Sequence, residues 1–246
     1  MQKQRKHKKA DRNNLTISEH TLELKRRVLV PIIMFIIFFI LVYYYNDKVI
    51  LFLLNIGKQS GYSFFSLSAQ EAILQSIKVS AYMSLILSFP VVFYELYRFA
   101  SPALSKSVSF IFILTLGLGS ILFLIGACFS YKILLPFVFS YLKAYSERFN
   151  LTPQISMENY LSFMIAIIIY CGLTFEMPLM SFYFGKTGII TIEKIKKMNP
   201  FIVASFFLIA AIITPPDVVS QLIVAIPMLL LYGVSIVIIK LLQKGN

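Results

Sequence analysis

Long apolar runs alternate with short charged segments along this chain, and that alternation predicts six transmembrane helices. The first four cover about residues 28–45, 73–96, 108–135 and 158–184. Residues 46–72 fall outside the first pair; they hold a short apolar piece, Val49–Ile56, too brief to span and read as interfacial. Pro90 predicts a kink near the end of the second span. A loop from Arg98 to Ser107 leads into the third, which is long enough to tilt or to extend past the bilayer. Residues 137–157 form the next outside segment, with Ser156 as the cap of the fourth span. That span is interrupted at Glu176-Met177-Pro178 and followed by a basic loop, Lys186 to Lys197. The fifth and sixth helices are expected to be short. Pro200–Ile213 has 14 residues, about 21 Å of helix, against a hydrocarbon core of roughly 30 Å. Thr214-Pro215-Pro216-Asp217 must end it. Asp217 then caps the last helix, Val218 to about Ile239, and the pair forms a tight hairpin that thins the bilayer or holds its turn below the surface.

Upstream, residues 1–15 are polar and predicted to be a disordered basic tail; the rest, 16–246, reads as one six-helix membrane domain. Thr16-Ile17-Ser18-Glu19 matches a capping box and predicts the start of a helix that runs into the first span. That span ends in Tyr-Tyr-Tyr-Asn-Asp with no small-x-small cleavage site, so it is read as retained rather than as a cleaved signal. Of the 23 Lys and Arg residues, 17 fall on the side of the termini and 6 on the other, which places both termini on the cytoplasmic-type side.

Composition agrees with the pattern. Hydrophobic residues make up 58% and charged residues 14%, where a soluble domain carries about a quarter charged. The net charge of +12 is gathered between the apolar runs. It therefore points to an anionic membrane surface, with Lys3 to Arg12 as the main contact, and not to nucleic acid. Cys128 and Cys171 both lie in apolar runs and read as small buried hydrophobes. The absence of Trp and the wealth of Ile, Phe, Tyr, Lys and Asn fit an AT-rich genome, organellar or bacterial.

No enzyme is read. HExxH, GxSxG and P-loop patterns are missing, and both histidines, His7 and His20, lie in the N-terminal region. Four acids carry the chemistry that remains. Glu176 sits in an apolar span, where a carboxylate must face protein or water; it is either a polar site in a cavity or a hydrogen-bonded group at the Pro178 break. Asp217 serves as an N-cap, and capping leaves room for a second role. Glu23 stands just before the first span and either pairs with Arg27 or offers a carboxylate to a cationic ligand. Glu95, at the cytoplasmic end of the second span, either pairs with Arg98 or does the same.

These residues carry a family resemblance. His20-Thr21-Leu22-Glu23-Leu24-Lys25-Arg26-Arg27 resembles the amphipathic first helix of the TatC family, the core subunit of the twin-arginine protein translocase. Phe93-Tyr94-Glu95-Leu96-Tyr97-Arg98-Phe99-Ala100-Ser101-Pro102-Ala103-Leu104 resembles its first cytoplasmic loop. Tyr160-Leu161-Ser162-Phe163 and Phe175-Glu176-Met177-Pro178 are similar to its fourth span. Thr214-Pro215-Pro216-Asp217-Val218-Val219-Ser220-Gln221 and Ala225-Ile226-Pro227-Met228 are similar to its last turn and helix. The matches run in order from about 20 to 232.

The resemblance implies an all-α, six-span fold with both termini cytoplasmic, and a receptor for precursors whose signal peptides carry paired arginines. It implies signal-peptide binding by Glu23, Leu24, Phe99 and Pro102. Carboxylates suit guanidinium groups because they accept bidentate bonds. The family often has a Glu a few residues after Pro-Ala-Leu; here Ser105-Lys106-Ser107-Val108 has none, and Glu95 on the same face is the expected substitute. Glu176, with Asp217 and Gln221, would meet signal peptide or partner helices within the membrane. The implied partners are small single-span subunits of the TatA/TatB type, the driving force is the proton-motive force, and no cofactor, ATP or metal is expected. The membrane is a bacterial plasma membrane, a mitochondrial inner membrane or a thylakoid. Two other classes compete: a proton-coupled small-solute transporter centred on Glu176, which predicts paired broken helices in two repeats, and a purely structural membrane subunit, which predicts no dependence on Glu23.

Overall fold

The computed structural model describes the backbone of residues 17–100, 106–186, 188, 190–215 and 217–244, and the side chains of 27–68, 70–95, 117–186, 188, 190–215 and 217–243. Helix α1 is Ile17–Tyr44, α2 Asn46–Gln59, α3 Ala69–Ala100, α4 Lys106–Phe129, α5 Leu135–Glu147, α6 Met157–Phe175, α7 Met177–Lys186, α8 Ile192–Ile213 and α9 Val218–Lys244. Two short strands, β1 Ser63–Phe65 and β2 Gln154–Ser156, pair in parallel with Phe64 opposite Ile155. Among the described residues six stretches are long and apolar enough to cross a membrane: Arg27–Tyr44, Gln70–Glu95, Gly117–Glu147, Met157–Lys186, Ile192–Ile213 and Val218–Gln243. Their outward faces are apolar, with Ile32, Ile36, Ile40, Leu208, Ile212, Leu230 and Val237 exposed. Such a surface belongs in lipid.

Several boundaries differ from the expectation. The third helix does not end near 135. A π-helical turn, Ser130–Leu134, joins α4 directly to α5, which runs to Glu147. Pro136 has no N–H to give the carbonyl four residues back, and the turn before it is the widened one. Beyond it Leu135, Val138 and Phe139 are buried at helical spacing, which continues the element through a segment read as a loop. The last two helices are not short: α8 has 22 residues and α9 has 27. The basic segment up to Lys197 is helix, because the Thr191 hydroxyl caps it, accepting from the Lys194 N–H at 3.4 Å. Ile192–Asn199 are then mostly good helix formers, with Pro200 inside the helix. Only the apolar part of α8, 200–213, keeps the short length. Helix α3 continues through Pro90 to Ala100. Cys171 is buried, but Cys128 is exposed on the apolar surface rather than packed inside.

The apolar piece 49–56 forms most of α2, whose Ile50, Leu53, Leu54 and Ile56 are buried while Leu51 and Phe52 are not. It packs into a cap at the end of the bundle that holds the strand pair. Tyr160, fully buried, stands at the centre of this cap. Its hydroxyl accepts from Gly57 N–H at 2.9 Å and donates to the Leu53 carbonyl at 2.9 Å. Phe139 stacks on its ring and Phe64 meets it edge-on, both at 4.8 Å. Gly57 is required here, because a Cβ would come within 2.7 Å of the Tyr160 ring. Tyr62 donates to the Phe139 carbonyl at 3.2 Å, and burial pushes its hydroxyl up to about 12, so it remains a neutral donor. Along α3, Ser84 and Ser88 donate to the carbonyls of Ser80 and Ser84 at 2.6 and 2.7 Å, which lets a stripe of hydroxyls sit buried in an apolar bundle.

Candidate functional site

The chain crosses the bundle and turns back repeatedly, so the polar positions sort by end. The sheet end holds α2, β1, β2, the start of α3, the end of α5 and the α8–α9 turn. The opposite end holds the start of α1, the end of α3, the α7–α8 connection and the end of α9. Helix α1 packs chiefly on α3, and the two run antiparallel. Glu23 on α1 and Glu95 on α3 therefore belong to the same, opposite end. Glu95 is buried. The side chains of Glu23, Leu24, Arg98 and Phe99 lie outside the described residues, as does Pro102 altogether. Thr16 and the tail 1–15 lie outside the described residues, as do the side chains of the capping box expected at Thr16–Glu19.

Glu176 stands at the break between α6 and α7. Its N–H still bonds back to Leu173, at 3.2 Å, and its carbonyl accepts from Met180 at 2.9 Å. Pro178 brings no N–H to the turn, so one helix ends at Phe175 and the next begins at Met177. The carboxylate turns inward and is 6% exposed. It lies over Gly119 of α4, where an added Cβ would be 3.3 Å from Oε2. Oε1 is buried with no hydrogen-bond partner. Close packing nearby depends on two more small residues: a Cβ on Gly126 would meet the Cys171 carbonyl at 2.9 Å, and one on Gly172 would meet the Phe123 ring at 2.6 Å.

Asp217 caps α9, its Oδ2 accepting from Ser220 N–H at 2.7 Å, as the sequence predicts. It also lines a groove of about 410 Å³ with Tyr141, Leu142, Tyr145, Pro215, Val218 and Val219 at the sheet end. Gln221 donates its side-chain amide to the Phe207 carbonyl at 2.8 Å and so ties α9 to α8. Glu176, Asp217 and the Glu23/Glu95 end are thus three separate places and not one cluster.

A fifth acid joins the four read from the sequence. Glu71, 5% exposed, is the polar centre of the sheet end. It accepts from the Leu67 N–H, from Ser66 Oγ at 3.1 Å and, across to α6, from Glu158 N–H at 3.0 Å. Glu158 in turn pairs with Lys78 at 2.7 Å. A signal was present: Ser68-Ala69-Gln70-Glu71 has the capping-box form, and Glu71 N–H does reach Ser68 Oγ at 3.3 Å. Ser156 caps α6 as expected, accepting from Asn159 N–H at 3.3 Å.

Comparison with known proteins extends these observations. The family model described as Sec-independent protein translocase protein (TatC) matches residues 19–227. The chain is 32% identical over 230 residues to the Sec-independent protein translocase protein TatC of Helicobacter pylori, covering 93% of this chain and 89% of the relative. It is 35% identical over 234 residues to the protein of the same name from Aquifex aeolicus, covering 94% and 97%. A crystal structure of the twin-arginine translocase receptor TatC superposes with a TM-score of 0.82 at 34% identity, covering 92% of this chain and all of that one, 100%.

Proposed function

The chain belongs to the TatC family of Sec-independent protein translocase proteins, and from that premise we propose that it is the receptor for twin-arginine signal peptides and the core of a translocase that exports folded proteins. It is a multi-pass integral membrane protein. Both termini face the cytoplasm, matrix or stroma, a reading supported by the 17-to-6 division of basic residues. The membrane is a bacterial plasma membrane, a mitochondrial inner membrane or a thylakoid, and the proton-motive force drives transport. The chain acts as receptor and assembly platform and carries out no catalysis of its own.

The observation that carries this reading is the antiparallel pairing of α1 with α3, which gives one end of the bundle two acid-bearing helix segments, with Glu23 and Glu95. Two guanidinium groups call for such acceptors. Glu23 binds the arginine pair with Leu24 and the neighbouring Phe99 and Pro102, and Glu95 supplies the second carboxylate. Glu176, with one oxygen unpartnered inside the bundle, takes a polar group from a signal-peptide or partner helix. The TatA/TatB-type single-span subunits meet the chain there and along the α8–α9 hairpin near Asp217 and Gln221. Residues 1–15 form a basic tail lying on the anionic surface.

Crosslinking of the purified protein to a twin-arginine signal peptide tests this. The crosslink is expected to be lost with a Lys-Lys peptide and with Glu23→Ala, and weakened with Glu95→Gln. Equal crosslinks in all arms would reject recognition through these acids.

A further inference from the structure

At the end of the bundle opposite the sheet, a cavity of about 250 Å³ opens between α8 and α9, lined by Ile192, Ile195, Lys196, Asn199, Ile236 and Lys240. Its lining is three isoleucines, one asparagine and two lysines, with no acid. Glu193, the nearest acid in sequence, does not contribute to it. The crevice is fixed at its mouth, because Gln243 Oε1 accepts from Ile192 N–H at 3.1 Å and holds the last turn of α9 on the first turn of α8. That bond and the Thr191 cap already occupy backbone donors of the α8 N-terminus, so side chains give the crevice its character.

Its depth fixes what can fill it. Lys196 lies four residues before the apolar stretch 200–213, and Lys240 directly follows the apolar run of α9. Both ammonium groups therefore stand at the level of the lipid phosphates. Two like charges around one small cavity repel each other unless an anion lies between them. At that depth the abundant anion is a phosphodiester with acyl chains attached, and the isoleucines offer those chains a wall.

We propose that this crevice is a binding site for the headgroup of an anionic phospholipid, with Lys196 and Lys240 on the phosphate, Asn199 donating beside them, and the acyl chains descending between α8 and α9. The site is distinct from the signal-peptide reading and does not depend on it.

The test is native mass spectrometry of the full chain released from micelles doped with phosphatidylglycerol, with phosphatidylcholine, or with inorganic phosphate alone. Phosphatidylglycerol is expected to stay bound and phosphatidylcholine to leave. Lys196→Gln with Lys240→Gln is expected to weaken retention about thirty-fold, near 2 kcal/mol for two lysines. Lys196→Arg with Lys240→Arg retains it, and Lys197→Gln, one position outside the lining, changes it little. In parallel, a photoactivatable phosphatidylglycerol is expected to label peptides covering 192–199 and 236–243 in the unmodified protein, which tests the site without relying on the variants' folding. Equal retention of phosphatidylcholine, an equal loss in Lys197→Gln, or labelling elsewhere would overturn the proposal. Inorganic phosphate holding as well as the lipid would make this a free-phosphate site and overturn it too.

Discussion

Glu71 and Glu176 are the same residue type, buried to nearly the same degree, at 5% and 6% exposure, and the chain treats them oppositely. Around Glu71 the donors Leu67 N–H, Ser66 Oγ and Glu158 N–H converge, so its charge is spent joining the β1–α3 connection, α3 and α6. Around Glu176 one oxygen rests over Gly119 and the other meets no donor. A buried carboxylate supplied with donors is a structural joint; one left short of them invites a ligand. Glu71 is therefore part of the scaffold of the sheet end, whereas Glu176 holds a buried acceptor that the fold itself leaves unused.

That contrast can be broken by experiment. Tyr160→Ala should be the most damaging change, costing about 3–5 kcal/mol, and Tyr160→Phe about 1–3 kcal/mol through the orphaned Gly57 N–H and Leu53 carbonyl; thermal unfolding in detergent reads both. Glu71→Gln should lower the melting temperature clearly while the folded fraction still crosslinks signal peptide. If peptide binding were lost with stability intact, the sheet end would be part of the receptor and the division would fail. Glu23→Ala should abolish the signal-peptide crosslink with no change in melting temperature. Glu176→Gln should keep the fold, since no internal bond to Oε1 is lost, and slow export severalfold; a drop in stability comparable to Glu71→Gln would make it a joint as well. Four added leucines in the 200–213 part of α8 should impair export if a locally thinned bilayer matters, and normal export would reject that idea. Smallest of all, Lys78→Met should leave the melting temperature unchanged, because its pair with Glu158 is half exposed, at 45% and 43%.

Much of this was readable from the chain. Six spans follow from apolar length, the break at Glu176 from Pro178, and the caps at Ser156 and Asp217 from residue type and place. What escaped reading has physical causes. Pro136 and Pro200 look like helix ends, yet one begins a new helical segment and the other is carried inside a helix already capped at Thr191. The strand pair Ser63–Phe65 and Gln154–Ser156 is three residues long on each side, too short for any alternation to show, and is joined across some ninety positions of chain. Glu71 lies in the segment 46–72 between the first two spans, and the donor that ties it across the fold, Glu158 N–H, comes from α6. Glu176 stands out as a charge among apolar residues, whereas at Glu71 the local cap can be read and the donor arriving from α6 cannot.

The π-turn between α4 and α5 has a mechanical consequence. Segments of 24, 5 and 13 residues laid end to end make one continuous rod of about 60 Å at 1.5 Å per residue, roughly twice the hydrocarbon thickness. No membrane encloses it, so it stands out into water at one face or both. Its far segment is wedged into the sheet-end cap through Phe139, and its first segment carries Gly119 against Glu176. One helix thus joins the sheet-end cap to the Glu176 break, so a change in packing at either place bears on the same rod.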